Sequence, residues 1–125
     1  MLKYDLLKHE NSIYRVLEIQ EEKVLMIDCL KQTMPVWIRK MLLVGSEPCS
    51  MEELQSMTGI CPVTVDSLSA EQKKVMYQHH SLIVPVLPYL SDEKARSNMI
   101  RTIAMERKIS KQTIRKYLCQ YLSYI

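Results

Sequence analysis

Ile13-Tyr14-Arg15-Val16-Leu17-Glu18-Ile19-Gln20-Glu21-Glu22-Lys23-Val24-Leu25-Met26-Ile27-Asp28-Cys29 is the stretch on which the fold turns. Two runs of β-branched, aliphatic and aromatic residues flank the polar Gln20-Glu21-Glu22. Such runs suit a pleated, half-buried surface, and a short polar break between them predicts a β-hairpin. Working outward, Lys3-Tyr4-Asp5-Leu6-Leu7 adds a strand, turned back by Glu10-Asn11-Ser12. On the other side Val36-Trp37-Ile38, after Pro35, adds a further one. The lone Trp37 is expected to anchor the core of this small curled sheet.

Beyond residue 48 the signals become helical. Ser50 with Glu53 three residues on is a capping-box pattern, and Gly59 and Pro62 close a short helix. Ser69 with Gln72 starts a longer helix that runs to about Val84, where Pro85 interrupts it. Ser91 caps the next, with Asp92 and Glu93 at its positive end and Arg107 near its finish. Met99, Ile100, Ile103 and Ala104 form its inner face. Ser110 begins the last helix, in which Ile114, Tyr117, Leu118, Tyr121, Leu122 and Ile125 make an apolar stripe of period 3.6. The expected class is α+β, in three parts: a β-rich domain at 1–48, a helical connector at 49–90 and a helix-turn-helix at 91–125.

Composition narrows the functions. The chain has 125 residues, 47% hydrophobic and 25% charged, with nine Met and no Phe. Two glycines exclude a Gly-rich phosphate loop of either common type. Four cysteines lie at 29, 49, 61 and 119, without metal-ligand spacing, so no metal or cofactor is expected. His79 and His80 read as surface or interhelical residues. There is no apolar run long enough for a membrane span and no secretory leader. The expected compartment is therefore cytoplasmic and nucleoid-associated, with reduced thiols.

The net charge of +3 is unevenly spread. Residues 1–50 are balanced and residues 51–90 are slightly acidic. Residues 91–125 carry eight basic and three acidic side chains. That last segment also has the helix-turn-helix layout. Ala104 is small enough for close helix crossing, Ile109 plugs the turn, Ser110 caps, and Ile114 packs back. Lys108 stands where the turn favours glycine, at a cost of roughly 1 kcal/mol. An α-helix fits the major groove and reads it from its first turns. The expected partner is double-stranded DNA, with Lys111, Gln112 and Arg115 toward base edges. Ser110, Thr113 and Lys116 would position the backbone.

Two segments carry a resemblance. Tyr77-Gln78-His79-His80-Ser81-Leu82-Ile83-Val84-Pro85-Val86-Leu87 resembles the R-x-x-I-I-x-P-L-L segment ahead of the helix-turn-helix in DDE-type transposases of the Mu and TnsB group, without its arginine. Ile103-Ala104, with Ile109-Ser110-Lys111-Gln112-Thr113-Ile114-Arg115-Lys116-Tyr117-Leu118, resembles their I-A-x-x-x-x-v-S-x-x-T-v-x-r-Y-L segment. The hairpin and Trp37 are similar to the small β-domain that opens TnsB-like proteins. The resemblance implies an end-binding region that recognises transposon-end DNA and self-associates on it. It also implies that the catalytic domain lies downstream, so this chain is expected to have no activity of its own. Asp5, Asp28, Asp66 and Asp92 are not expected to be catalytic metal ligands. Two rivals remain: a transcription regulator with the same motif, and a protein-interaction module using the Met-rich surface.

Overall fold

The computed structural model describes residues 1–59 and 67–124. The fold is α+β, with a five-stranded antiparallel sheet followed by helices. By internal contacts the chain divides into two compact units. One comprises Met1–Ile60 with Cys119–Ile125, and the other Cys61–Leu118. The sequence-based limits at 48 and 90 follow composition and turn signals, whereas these units follow packing.

In the first unit the expected hairpin forms between β2 (Ser12–Ile19) and β3 (Lys23–Asp28). Gln20 N–H closes its turn on the Lys23 carbonyl at 2.9 Å. With β1 (Leu6–His9), β4 (Val36–Arg39) and β5 (Glu47–Cys49), the strand order is β4-β3-β2-β1-β5. Strand β1 starts at Leu6 rather than at residue 3. Tyr4 takes φ 73°, and Asp5 Oδ2 accepts from Leu2 N–H at 2.8 Å, so residues 2–5 form a turn. Glu10, at φ 54°, turns β1 into β2 as expected.

Strand β5 had no sequence signature. It contains Pro48, which a sheet tolerates at an edge because no ladder donor is needed on the outer side. The sheet is buried on both faces. Leu7, Val16, Val24 and Met26 pack with Leu43 on one face. Ile13, Arg15 and Ile27 are buried on the other. A register shift between Val16 and Glu18 bends β2 and lets one long strand serve the curled sheet. Trp37 is half-buried rather than central, with the Lys23 ammonium 4.6 Å from its ring centroid. Leu43, on a 3-10 turn at Lys40–Leu43, fills the core instead.

Helix α1 (Met51–Thr58) is capped as expected. Ser50 Oγ accepts from Glu53 N–H, and Gly59 ends the helix at φ 71°, its N–H on the Gln55 carbonyl. Only glycine takes that conformation at little cost. Pro62, Cys61 and Asp66 lie outside the described residues.

The second unit holds α2 (Ala70–Ile83), which carries the full capping box of Ser69 and Gln72. Pro85 does not simply stop the chain. Val84–Tyr89 tightens into a 3-10 turn, since proline still supplies a helical φ while lacking the donor. Helix α3 (Glu93–Arg107) is capped by Asp92, not Ser91: Asp92 Oδ1 accepts from Ala95 N–H at 3.1 Å. Helix α4 (Lys111–Ser123) begins in this unit, and its last turn belongs to the first. Ile100, Ile103, Ile114 and Leu118 are buried, the period-3.6 signal made physical.

The stripe of α4 is rotated from its expected line. Leu118, Cys119, Leu122 and Ser123 are buried, while Tyr121 is 37% exposed. Residues 115, 119 and 122 lie on one side of a 3.6-residue helix, roughly 140° round from 117 and 121. The apolar stripe placed Tyr121 in the core, but the small Cys119 occupies the buried line. Ile125 lies outside the described residues.

Candidate nucleic-acid interface

The turn between α3 and α4 is three residues, Lys108, Ile109 and Ser110. Lys108 takes φ 55° and ψ 45°, the left-handed conformation expected of a helix-ending residue. Its N–H and that of Ile109 both reach the Ala104 carbonyl, the latter at 3.1 Å. Two donors on one carbonyl fold the chain back sharply. Ile109 is half-buried beneath the turn.

Ser110 then caps α4. Its Oγ accepts from Thr113 N–H at 3.1 Å and lies 2.8 Å from Thr113 Oγ1. One hydroxyl hydrogen is used between the two oxygens, whichever donates. The other remains to donate to an incoming acceptor, beside the partial positive charge of the helix start. Both proposed positioning hydroxyls are thus brought together, acting as a pair rather than as two independent donors.

Lys111, Gln112 and Lys116 are exposed on α4, as a groove-reading role requires. Arg115 is half-buried, because it lies on the side of α4 that Leu118 and Cys119 occupy. Expected toward base edges, it borders the buried face. Among the described residues, none of Arg101, Arg107, Lys108, Lys111, Arg115 and Lys116 sits in an ion pair. Their charge is therefore presented without local neutralisation. His79 stacks on Tyr117, ring centroids 3.9 Å apart and planes 15° from parallel, fixing one side of α4 to α2.

Sequence reasoning missed part of this surface. Lys94 and Arg101, seven residues apart, are separated by about two turns of α3 and share one face, and Lys108 follows as the left-handed residue that ends the helix. All three are exposed, and Met105 lies beside them. The spacing was readable, but attention to the apolar period hides a polar one. Nothing acidic occupies that stripe: Glu106 lies on α3 well away from it, by helical spacing.

Other polar side chains have internal tasks. Asp28, read as no metal ligand, accepts from Ser12 Oγ at 2.6 Å and from the N–H groups of Leu30 and Lys31. Asp5 and Asp92 serve the turn and the cap already described. Burial pushes the Cys29 thiol up, and burial with the neighbouring Glu53 carboxylate does the same for Cys49. Raised thiols are poor nucleophiles. Among the described residues, no three His, Cys, Asp or Glu side chains converge as metal ligands. No helix among them is long and apolar enough to cross a membrane. No protein-family model matches the chain, and no curated protein matches it.

Proposed function

We propose that the chain is a double-stranded DNA-binding module that reads sequence with the first half of α4. The observation that carries this reading is the α3–α4 turn. A left-handed Lys108 and a Ser110 cap end in a helix start whose Lys111 and Lys116 are exposed and, among the described residues, in no ion pair. Lys111 and Gln112 reach base edges, where lysine suits guanine and glutamine suits adenine. Arg115, held at the border of the buried face, reaches from a fixed base. Lys116 and the Ser110–Thr113 hydroxyl pair take phosphate oxygens. Lys94, Arg101 and Lys108 extend the phosphate footprint along α3. In this reading the chain carries out no chemistry and needs no cofactor.

The finer reading, recognition of transposon-end repeats and self-association on them, rests on the two segments that resemble transposases of the Mu and TnsB group. A titration with transposon-end duplex and with scrambled duplex, each at two salt concentrations, tests both levels. Binding must weaken as salt rises, because phosphate contacts release counterions. Lys116→Ala should reduce the salt slope by about one without changing the preference between duplexes. Lys111→Ala or Gln112→Ala should cost about 1–3 kcal/mol of discrimination. Affinity unaffected by salt and by all three substitutions sinks the proposal. Equal affinity for both duplexes retains DNA binding and removes the transposon-end reading.

A further inference from the structure

The first unit carries an outward apolar tip that its own folding does not require. On the 3-10 turn Lys40–Leu43, only Leu43 points inward, where it completes the core with Leu7, Val16, Val24 and Met26. Anchoring that one side chain forces its neighbours out. Met41 is 70% exposed, Leu42 62% and Val44 83%. Isolated exposed aliphatics are ordinary, but three within four residues form a patch of the kind that marks an interaction site.

The patch borders an open cleft of about 550 Å³ lined by Glu21, Glu22, Arg39, Lys40 and Met41. Lys40 N–H bonds the Glu22 carbonyl at 2.9 Å, which holds the hairpin turn beside the 3-10 turn. Two carboxylates and two cations thus line one cleft. Among the described residues none of the four sits in an ion pair. The two carboxylates make the cleft a poor seat for a phosphate backbone. Two charges of each sign beside an apolar tip are instead complementary to the same surface turned by a two-fold axis. In that arrangement Arg39 and Lys40 of one copy meet Glu21 and Glu22 of the other, and Met41, Leu42 and Val44 pack against their counterparts.

We propose that this face, the 3-10 turn with the β2–β3 turn, is a two-fold self-association surface, and that its occupant is a second copy of the chain. The proposal stands independently of DNA binding, and its test contains no DNA. Sedimentation equilibrium of the chain up to about 1 mM should show a monomer–dimer equilibrium. Arg39→Glu with Lys40→Glu makes the cleft wholly acidic, and Glu21→Lys with Glu22→Lys makes it wholly basic. Each double variant alone should self-associate at least about tenfold more weakly, because like charges then face each other. Mixed in equal amounts, the two should form a heterodimer, a recovery that misfolded variants cannot give. Met41→Ser with Leu42→Ser should weaken the dimer with the helical and sheet signals unchanged. A chain that stays monomeric over that range overturns the proposal and leaves the patch to a different partner. Dimers indifferent to both charge reversals, or variants that fail to pair when mixed, overturn it equally.

Discussion

Arg15 of the sheet unit and Arg101 of the helical unit are used in opposite ways. In the sheet unit Arg15 is buried, 4% exposed. Its Nε and Nη2 donate to the Ser123 carbonyl at 3.0 and 2.9 Å, and Nη1 donates to the Tyr4 carbonyl at 2.8 Å. A cation at the carbonyl end of α4 also suits the helix dipole. Burial holds this guanidinium below its usual value. Gln32 Nε2 joins the same cluster, donating to Ser123 Oγ at 2.9 Å and to the Cys29 carbonyl. In the helical unit Arg101, Arg107 and Arg115 have no carboxylate partner among the described residues. Arg15 spends its donors on backbone carbonyls, and in the helical unit the buried Arg96 does the same toward the Leu90 carbonyl at 3.0 Å. Under the proposed function, Arg101, Arg107 and Arg115 are the ones left for a partner.

Substitutions at the two kinds of position should separate those roles. The largest effect belongs to Arg15→Met. It keeps the aliphatic bulk and strands the Ser123 and Tyr4 carbonyls, costing about 3 kcal/mol. Denaturant unfolding followed by fluorescence of Trp37, the single tryptophan, reads this unit directly. A loss below about 1 kcal/mol breaks the contrast by showing that water replaces the arginine.

Ile114→Ala comes next. The side chain is fully buried beneath the turn between α3 and α4, and truncation leaves a cavity worth about 2–4 kcal/mol. Loss of helical signal in urea measures it, and an unchanged midpoint means that the turn is held by its hydrogen bonds alone.

Lys108→Gly should move two properties in opposite directions. Relief of the left-handed conformation stabilises the chain by about 0.5 kcal/mol, net of the entropy glycine adds to the unfolded state. Loss of the cation should lower DNA affinity and the salt slope. If stability and affinity rise together, Lys108 is no part of the interface.

The smallest effect concerns the surface pair Lys8–Glu53, whose nitrogen and oxygen are 3.0 Å apart. The Lys8 hydrogen bond and charge hold the Glu53 carboxyl below its ordinary 4.5. The Glu53 hydrogen bond and charge hold the Lys8 ammonium above its ordinary 10.5. The pair's stabilisation is therefore complete between those two ordinary values. It is lost on acidification as pH falls through the lowered Glu53 value, and on basification as pH rises through the raised Lys8 value. In Lys8→Met, the Glu53 titration followed by carbon NMR should move up toward 4.5. A midpoint that stays put removes the pair as the cause.

Local chemistry was legible wherever a short stretch decides its own conformation. The hairpin, the Ser50, Ser69 and Ser110 caps, the Gly59 stop and the left-handed Lys108 all depend on neighbours within four residues. The strand without a sequence signature depends on a partner far along the chain. Glu47-Pro48-Cys49 is a strand because β1 offers it an edge. Asp92 displaces Ser91 as a cap within one residue, the range over which helix ends are least determined by sequence. For the candidate site, residue types and order were readable at Ser110, Lys111, Gln112, Thr113 and Lys116. The half-burial of Arg115 was not, since the buried line of α4 is set by what packs on it.

By itself the sequence determined the α+β order, the helix boundaries set by caps and turns, and the concentration of positive charge in the last 35 residues. These follow from side-chain chemistry acting over one or two turns of backbone. Only the tertiary structure decided that the sheet is buried on both faces, that Arg15 is an internal group closing the end of α4, and that Cys119 rather than Tyr121 lies in the core. The reason is that burial belongs to pairs of surfaces. A strand or helix carries a pattern, but which side of it meets another surface is settled only when that surface arrives.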